Sequence, residues 1–390
     1  MNNVYFDHSA TTPVREEVLD AMLPYLREGF GNAGSVHAFG RAARRAVDDA
    51  REQVAALIHA DPREIVFTSG GTESDNWAIR GLVAAHANRP ANMVVSAVEH
   101  HAVLHAADFA GKHNSVEVRI AGVTSDGVVD VDELAALLDA ETILVSVMHA
   151  NNETGAIQPV ERIAELCAER GIAFHMDAVQ SAGKIKVDVR SIHVAALALS
   201  GHKIYGPKGV GACYVRTGIE LEPYLVGGAQ ERGRRAGTEN VAGIVGLGEA
   251  CELARIELGE HAARISRLRD SAQECILSAI PRCRINGPLR GRLPGLLNVG
   301  FAGVEGESVV LGLDVEGIAV SSGATCASGA IDPSHVLLAM GQSPTEAQSA
   351  VRFSFGRSNT EADVQRLMEV LPPLIARLRS GAPVAATRES

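Results

Sequence analysis

The sequence predicts an α/β protein with a large, mostly parallel sheet domain and a smaller α+β domain toward its C-terminal end. Three observations carry this. Through the first two thirds of the chain, short apolar runs alternate with longer amphipathic ones, as in strands joined by crossover helices. A long helical pattern then runs from Val241 to roughly Ile280. Beyond it the rhythm changes to single strands separated by single helices.

The strand-like runs of the large domain are Glu64–Thr68, Met93–Ser96, Val116–Ile120, Ile143–His149, Ile172–Met176 and Val194–Ser200. Between them, Val131–Leu138 and Val160–Glu169 place apolar residues three and four apart, which is one face of a helix. Gly201, Gly206, Gly209 and Gly211 bracket a tight turn region before a strand at Ala212–Val215. In the second part the strands are Leu297–Phe301, Ile318–Val320 and Val351–Phe355. The boundary falls within the long helical stretch near residue 259, with no Pro/Ser linker to mark it. The last residues, Gly381–Ser390, read as a loose tail.

With 390 residues, the chain has room for two or three domains at about 150 residues each. Hydrophobic residues make up 46% and charged residues 21%, which excludes disorder, collagen and a disulfide scaffold for the whole chain. Lysine and arginine number 36 against 47 acidic residues, a net charge of −11. That sign argues against a global attraction to nucleic acid or anionic membrane. The densest basic run, Arg232, Arg234 and Arg235, is interleaved with acids and reads as a small anion site. No apolar run approaches the ~18 residues that would span a bilayer. The start, Met-Asn-Asn-Val-Tyr-Phe-Asp, lacks the features of a secretory leader, so a cytoplasmic protein is expected. The six cysteines form no CxxC pair, which argues against redox or zinc-ribbon sites and leaves room for one catalytic thiol.

Phosphate-loop, GxSxG and HExxH motifs are absent. The most informative segment is Ser200-Gly-His202-Lys203-Ile-Tyr-Gly206-Pro207-Lys208-Gly209. A lysine at the end of an apolar strand can be desolvated enough for its amine to be nucleophilic, as a Schiff-base lysine must be. The alternative is that the strand has ended and Lys203 points into water. Asp177 ends an earlier strand in His175-Met-Asp177-Ala-Val-Gln180. It either caps the next helix or supplies the carboxylate that a pyridoxal phosphate enzyme sets beside the pyridine nitrogen. The two residues can come from neighbouring strand ends. Thr68-Ser69-Gly70-Gly71-Thr72-Glu73 then joins a strand to a helix, and its glycines and helix N-terminus suit a phosphate, although a capping box gives similar letters.

Together these segments resemble the cysteine desulfurases of the nitrogenase and iron–sulfur cluster type, within the class V aminotransferase family of pyridoxal-phosphate enzymes. The resemblance runs from Tyr5-Phe-Asp7-His-Ser-Ala-Thr-Thr-Pro13 to Val351-Arg352-Phe-Ser-Phe-Gly-Arg357, with supporting blocks at Val98-Glu-His100, Asn151-Asn152-Glu-Thr-Gly155 and Gly228–Thr238. It implies the pyridoxal-phosphate transferase fold (fold type I), with residues 14–259 binding the cofactor. Residues 1–13 and 260–390 would form the small domain that carries the catalytic cysteine loop. It further implies that Lys203 holds pyridoxal 5'-phosphate as a Schiff base and later moves the substrate Cα proton. Asp177 would pair with the pyridine nitrogen, Gln180 would bond the ring hydroxyl and His100 would stack on the ring. Gly71, Thr72, Ser200 and His202 would hold the phosphate, with Thr238 reaching it from the partner of a homodimer. Arg352 would grip the carboxylate of L-cysteine, helped by Asn152 and Asn32. Many relatives have alanine where Gly71 stands, a change expected to matter little for a backbone contact.

Cys326 lies in Ser321-Ser-Gly-Ala-Thr-Cys326-Ala-Ser-Gly-Ala330, a run of small residues with no apolar period. Such a loop suits a thiol that travels between a cofactor and an acceptor; the other reading is a buried cysteine in a tight turn. By resemblance, Cys326 takes sulfur from cysteine as a persulfide, leaves alanine, and passes the sulfur to an acceptor such as an iron–sulfur cluster scaffold protein. His101 and His105 stand four apart, a spacing that could suit a metal, but no acid or cysteine completes a shell, so no metal is expected. The competing readings are a selenocysteine lyase or another class V aminotransferase.

Overall fold

The computed structural model describes residues 3–86, 90–322 and 332–381. Cys326 and residues 382–390 of the tail lie outside the described residues. The first strand, β1 (Val4–Tyr5), pairs in parallel with Ile318–Ala319 near the other end of the chain. The main sheet contains β2 (Ile65–Thr68), β3 (Asn92–Ser96), β4 (Glu117–Ala121), β5 (Thr142–Ser146), β6 (Ala173–Asp177), β7 (Ala196–Ser200) and β8 (Gly211–Val215), in the order β2-β8-β7-β6-β5-β3-β4. All neighbours are parallel except β8, which runs against both β2 and β7. Because β8 reverses twice, β2, β6 and β7 all end at the same edge.

Burial explains the composition of these strands. β3, β5 and β7 are buried on both faces and read as near-continuous apolar runs, as sandwiched parallel strands must. β4 closes one edge with alternating Glu117 and Arg119, whose charges face solvent and discourage further pairing. A second, antiparallel sheet joins β12 (Ala350–Ser354), β10 (Leu296–Phe301) and β9 (Cys283–Ile285), and Ile318–Ala319 is β11. The helix Val241–Ala279 serves two cores. Ile244, Leu247 and Cys251 pack with the main sheet, while Ile265, Leu268 and Ile276 pack with Val4, Phe6, Leu297 and Phe353.

Two of the three arginines of the basic run are engaged within the chain. Arg235 is taken up by Glu73 at 2.8 Å, and Arg232 donates to the Arg63 carbonyl at 2.7 Å. Glu231 turns inward and accepts both arms of the Arg51 fork at 2.7 Å. These partners are more than a hundred and sixty residues away in sequence, so local charge spacing does not reveal them. Among the described residues no helix is long and apolar enough to cross a membrane.

Candidate active site

At the shared edge of the main sheet, a cleft of about 570 Å³ opens between the two cores. β6 delivers Asp177 there, and its parallel partner β7 delivers Ser200 and, through the turn Gly201–Lys203, Lys203. β2 ends at Thr68 and passes through Gly70, at φ 154, into the helix Gly71–Ala84. No side chain caps that helix at its N-cap position, so first-turn amides face the cleft as an anion cradle.

The electrostatics differ at each wall. Lys203 Nζ donates to the carbonyls of Ser9 at 2.6 Å and Ala10 at 2.7 Å. Burial, seconded by the Arg352 charge, pushes its ammonium down to about 8, so roughly a tenth is the neutral nucleophile at pH 7, against under a thousandth for an ordinary lysine. Asp177 Oδ1 accepts from the Val179 amide at 2.8 Å; burial raises this carboxyl, and the amide and Lys203 oppose the rise. Beneath it, Asp75 is 1% exposed, with Oδ1 lacking a hydrogen-bond partner among the described residues and lying 3.4 Å from His175 Nε2. Burial and the neighbouring Asp177 and Glu99 drive Asp75 well above the carboxylate range, and burial holds His175 down to about 3. The floor therefore concentrates its negative charge on Asp177.

His100 Nδ1 accepts from the Ala102 amide at 3.1 Å and caps the helix His101–Asn114. This places the ring proton on Nε2 and fixes the ring plane at the cleft wall. Gln180 donates from Nε2 to the Ser9 carbonyl at 2.9 Å, and His202 Nδ1 meets Thr11 Oγ1 at 3.1 Å. Arg352, on β12, donates to Asp7 Oδ1 at 2.9 Å and to the Asn152 carbonyl at 3.0 Å, while its buried Nε has no partner. One N–H on each of Nη1 and Nη2 thus remains for an incoming anion.

The cleft gathers Gly71, Thr72, His100, Asn152, Asp177, Gln180, Ser200, His202, Lys203 and Arg352. Asn32 and Thr238 do not line it; both are exposed elsewhere on the chain. Cys326 lies outside the described residues, but Ser321, Asp332 and Ser334 on either side of its segment line the cleft. His101 packs against His105 and His335, with ring centres 5.1 and 4.6 Å apart, and no group of three such residues could hold a metal among the described residues. The carbonyls of Ser9 and Ala10 and the buried acids Asp75, Glu99 and Glu153 escape sequence reading. Backbone acceptors leave no side-chain signal. The acids stand beside residues already given roles, and only their burial, which lifts Glu99 to about 8 and Glu153 to about 7, sets them apart.

Gly71 matters more than the sequence suggests. A Cβ there would lie 2.6 Å from Val179 Cγ2, on a stiff, branched side chain. Gly71→Ala should therefore weaken binding of pyridoxal phosphate by roughly tenfold, the cost of about 1.4 kcal/mol of overpacking. Removing the obstructing methyl in Gly71→Ala/Val179→Ala should restore it, as read by titrating apoprotein with the cofactor.

An uncapped helix N-terminus, a half-desolvated amine and a buried carboxylate in one cleft fit pyridoxal phosphate. This architecture and this site define a pyridoxal-phosphate enzyme of fold type I. The family model for aminotransferase class-V matches residues 4–367, and the chain belongs to that family. It is 45% identical over 383 residues to the cysteine desulfurase IscS of Clostridium botulinum, covering 98% of this chain and 96% of the relative. It is 47% identical over 383 residues to a cysteine desulfurase of Nostoc, covering 98% and 95%. Among solved structures, a NifS-like protein superposes with a TM-score of 0.91 at 37% identity, covering 97% of this chain and all of the other. The structure of SspA in complex with cysteine gives 0.81 at 34%, covering 90% and 98%.

Proposed function

We propose that the protein is a cysteine desulfurase that converts L-cysteine to L-alanine and leaves the sulfur as a persulfide on Cys326. One observation carries this: Lys203, Asp177 and Arg352 face a single cleft whose lining reaches both flanks of the segment bearing Cys326. Bound pyridoxal phosphate supplies the electron sink that weakens bonds at the substrate Cα. Gly71, Thr72, Ser200 and His202 would hold its phosphate, Asp177 would keep its pyridine nitrogen protonated, and His100 would present a neutral ring to it. Gln180 donates to the ring oxygen. Lys203 Nζ takes the Cα proton and later returns a proton as alanine forms. Arg352 and Asn152 hold the substrate carboxylate. The Cys326 thiolate attacks the substrate sulfur. A sulfur–sulfur bond forms as the carbon–sulfur bond breaks, and the released electron pair picks up a proton on carbon, so no outside oxidant is required.

Arg352→Leu should raise KM for L-cysteine roughly 10- to 100-fold, the worth of charge-assisted hydrogen bonds to a carboxylate. Cofactor absorbance should stay intact, and steady-state kinetics with an absorbance spectrum checks both.

The reading includes a homodimer. Phe30, Val36, Phe39 and Val226 are 78%, 88%, 59% and 91% exposed. Arg44 ties their two loops together, donating to the Ala33 carbonyl and to Glu239. Asn32 and Thr238 are exposed, and in this reading Thr238 reaches the second copy's cleft. We further assign residues 14–259 to the cofactor domain and 1–13 with 260–390 to the small domain, a cytoplasmic setting, and an iron–sulfur cluster scaffold protein as acceptor. The test supplies L-cysteine and a reductant to the holoenzyme and measures alanine and sulfide. Equimolar products support the desulfurase. Turnover of selenocysteine alone, or amino transfer to a keto acid without sulfide, would replace it with a lyase or an aminotransferase.

A further inference from the structure

Lys184 stands on the far side of the Lys203 wall, lining a second, smaller cavity between the two cores. Among the described residues its hydrogen bond is to Gln180 Oε1, at 2.8 Å, and no carboxylate lies within ion-pair reach. Burial, with Lys203 and Arg352 adding repulsion of the same sign, pushes its ammonium down to about 7. The other titratable groups facing it are His8, His202, Tyr205 and His261, with Glu257 at the cavity rim already bound by Arg15 and Arg357. A half-buried amine with no carboxylate partner among the described residues costs stability that a methionine of similar volume would avoid. Its geometry supplies a reason for it. Gln180 is held at both ends of its amide: Lys184 donates to Oε1, and Nε2 donates to the Ser9 carbonyl, which also receives Lys203 Nζ at 2.6 Å. The second Nε2 hydrogen is left for the cleft, which Gln180 lines. A donor at Oε1 polarises the amide and strengthens the N–H on its other end.

We propose that Lys184 is a positioning residue that acts through Gln180, clamping its amide so that it offers a strengthened N–H to the ring oxygen of pyridoxal phosphate. The proposal rests on Gln180 facing that oxygen. Lys184 thereby favours the ring oxygen as an anion and keeps positive charge behind Lys203.

The apoprotein of Lys184→Met, Lys184→Gln, Gln180→Leu and Lys184→Met/Gln180→Leu is titrated with pyridoxal phosphate, and the pH midpoint of the bound cofactor's visible absorbance is recorded. Lys184→Met should bind about tenfold more weakly, the size of one hydrogen bond to a charged acceptor. Its midpoint should rise, because removing a neighbouring cation favours the protonated form. Lys184→Gln, which keeps an N–H donor, should recover most of the affinity, and the double variant should bind no worse than Gln180→Leu. Parent-like affinity and midpoint in Lys184→Met would overturn the proposal, as would penalties that multiply in the double variant. If Gln180→Leu alone changes neither quantity, the placement of Gln180 against the ring oxygen is wrong, and the role of Lys184 falls with it.

Discussion

Lys203→Ala should abolish turnover of L-cysteine and leave no cofactor attached to the chain after borohydride reduction. Two losses combine. The amine is the only group in the cleft placed to bind the cofactor aldehyde covalently, among the described residues, because Lys184 lies behind the wall. In the proposed reaction it is also the group that moves the substrate proton, and loss of a positioned acid–base alone typically costs roughly 10²–10⁴-fold. The fold should survive, since among the described residues the hydrogen bonds of Nζ go to the carbonyls of Ser9 and Ala10. Ser9 O keeps Gln180 as a donor. Mass spectrometry of the reduced, digested parent should find the cofactor on the peptide containing Lys203, and the variant should yield none. The parent also carries a pH signature. With the amine lowered to about 8 by burial, attachment of cofactor to apoprotein should accelerate as pH rises toward 8 and level off above it. An unperturbed lysine would continue to gain up to about 10.4. A label on another lysine would contradict this assignment.

The parts of the site readable in the sequence are those whose position follows from a strand end. Asp177 ends an apolar run and Lys203 follows one by a three-residue turn, and parallel strands expose their ends at one edge, so period and punctuation bring them together. The lateral order of the sheet is not readable in this way. Nothing local says that β8 slips between β2 and β7 and reverses direction. That reversal keeps the Gly70–Gly71 turn beside Ser200. Long-range partners are equally silent: Arg352 meets Asp7 across 345 residues of chain, and Gly71 meets Val179 because the chain after β6 packs over the helix start. Asn32 and Thr238 come with the family resemblance rather than with any local pattern, and they lie on an exposed face rather than in this chain's own cleft.

Cys326 separates desulfuration from every other reaction this cofactor site could run. In the proposed reaction, substrate binding, proton removal at Cα and amino transfer would use Arg352, Asp177 and Lys203 but no thiol. Breaking the carbon–sulfur bond by transfer to sulfur does need one. The five described cysteines offer no substitute. Burial pushes Cys167 up to about 12 and drives Cys213 and Cys251 higher still, Cys283 is raised as well, and neither it nor the exposed Cys275 lines the cleft. The decisive measurement is alanine released from L-cysteine, with reductant present, by the parent and by Cys326→Ala at equal cofactor content. The parent should release alanine and sulfide in equal amounts, and the variant should fall to the level of free cofactor while its absorbance still responds to L-cysteine. Undiminished alanine from Cys326→Ala would contradict the persulfide mechanism.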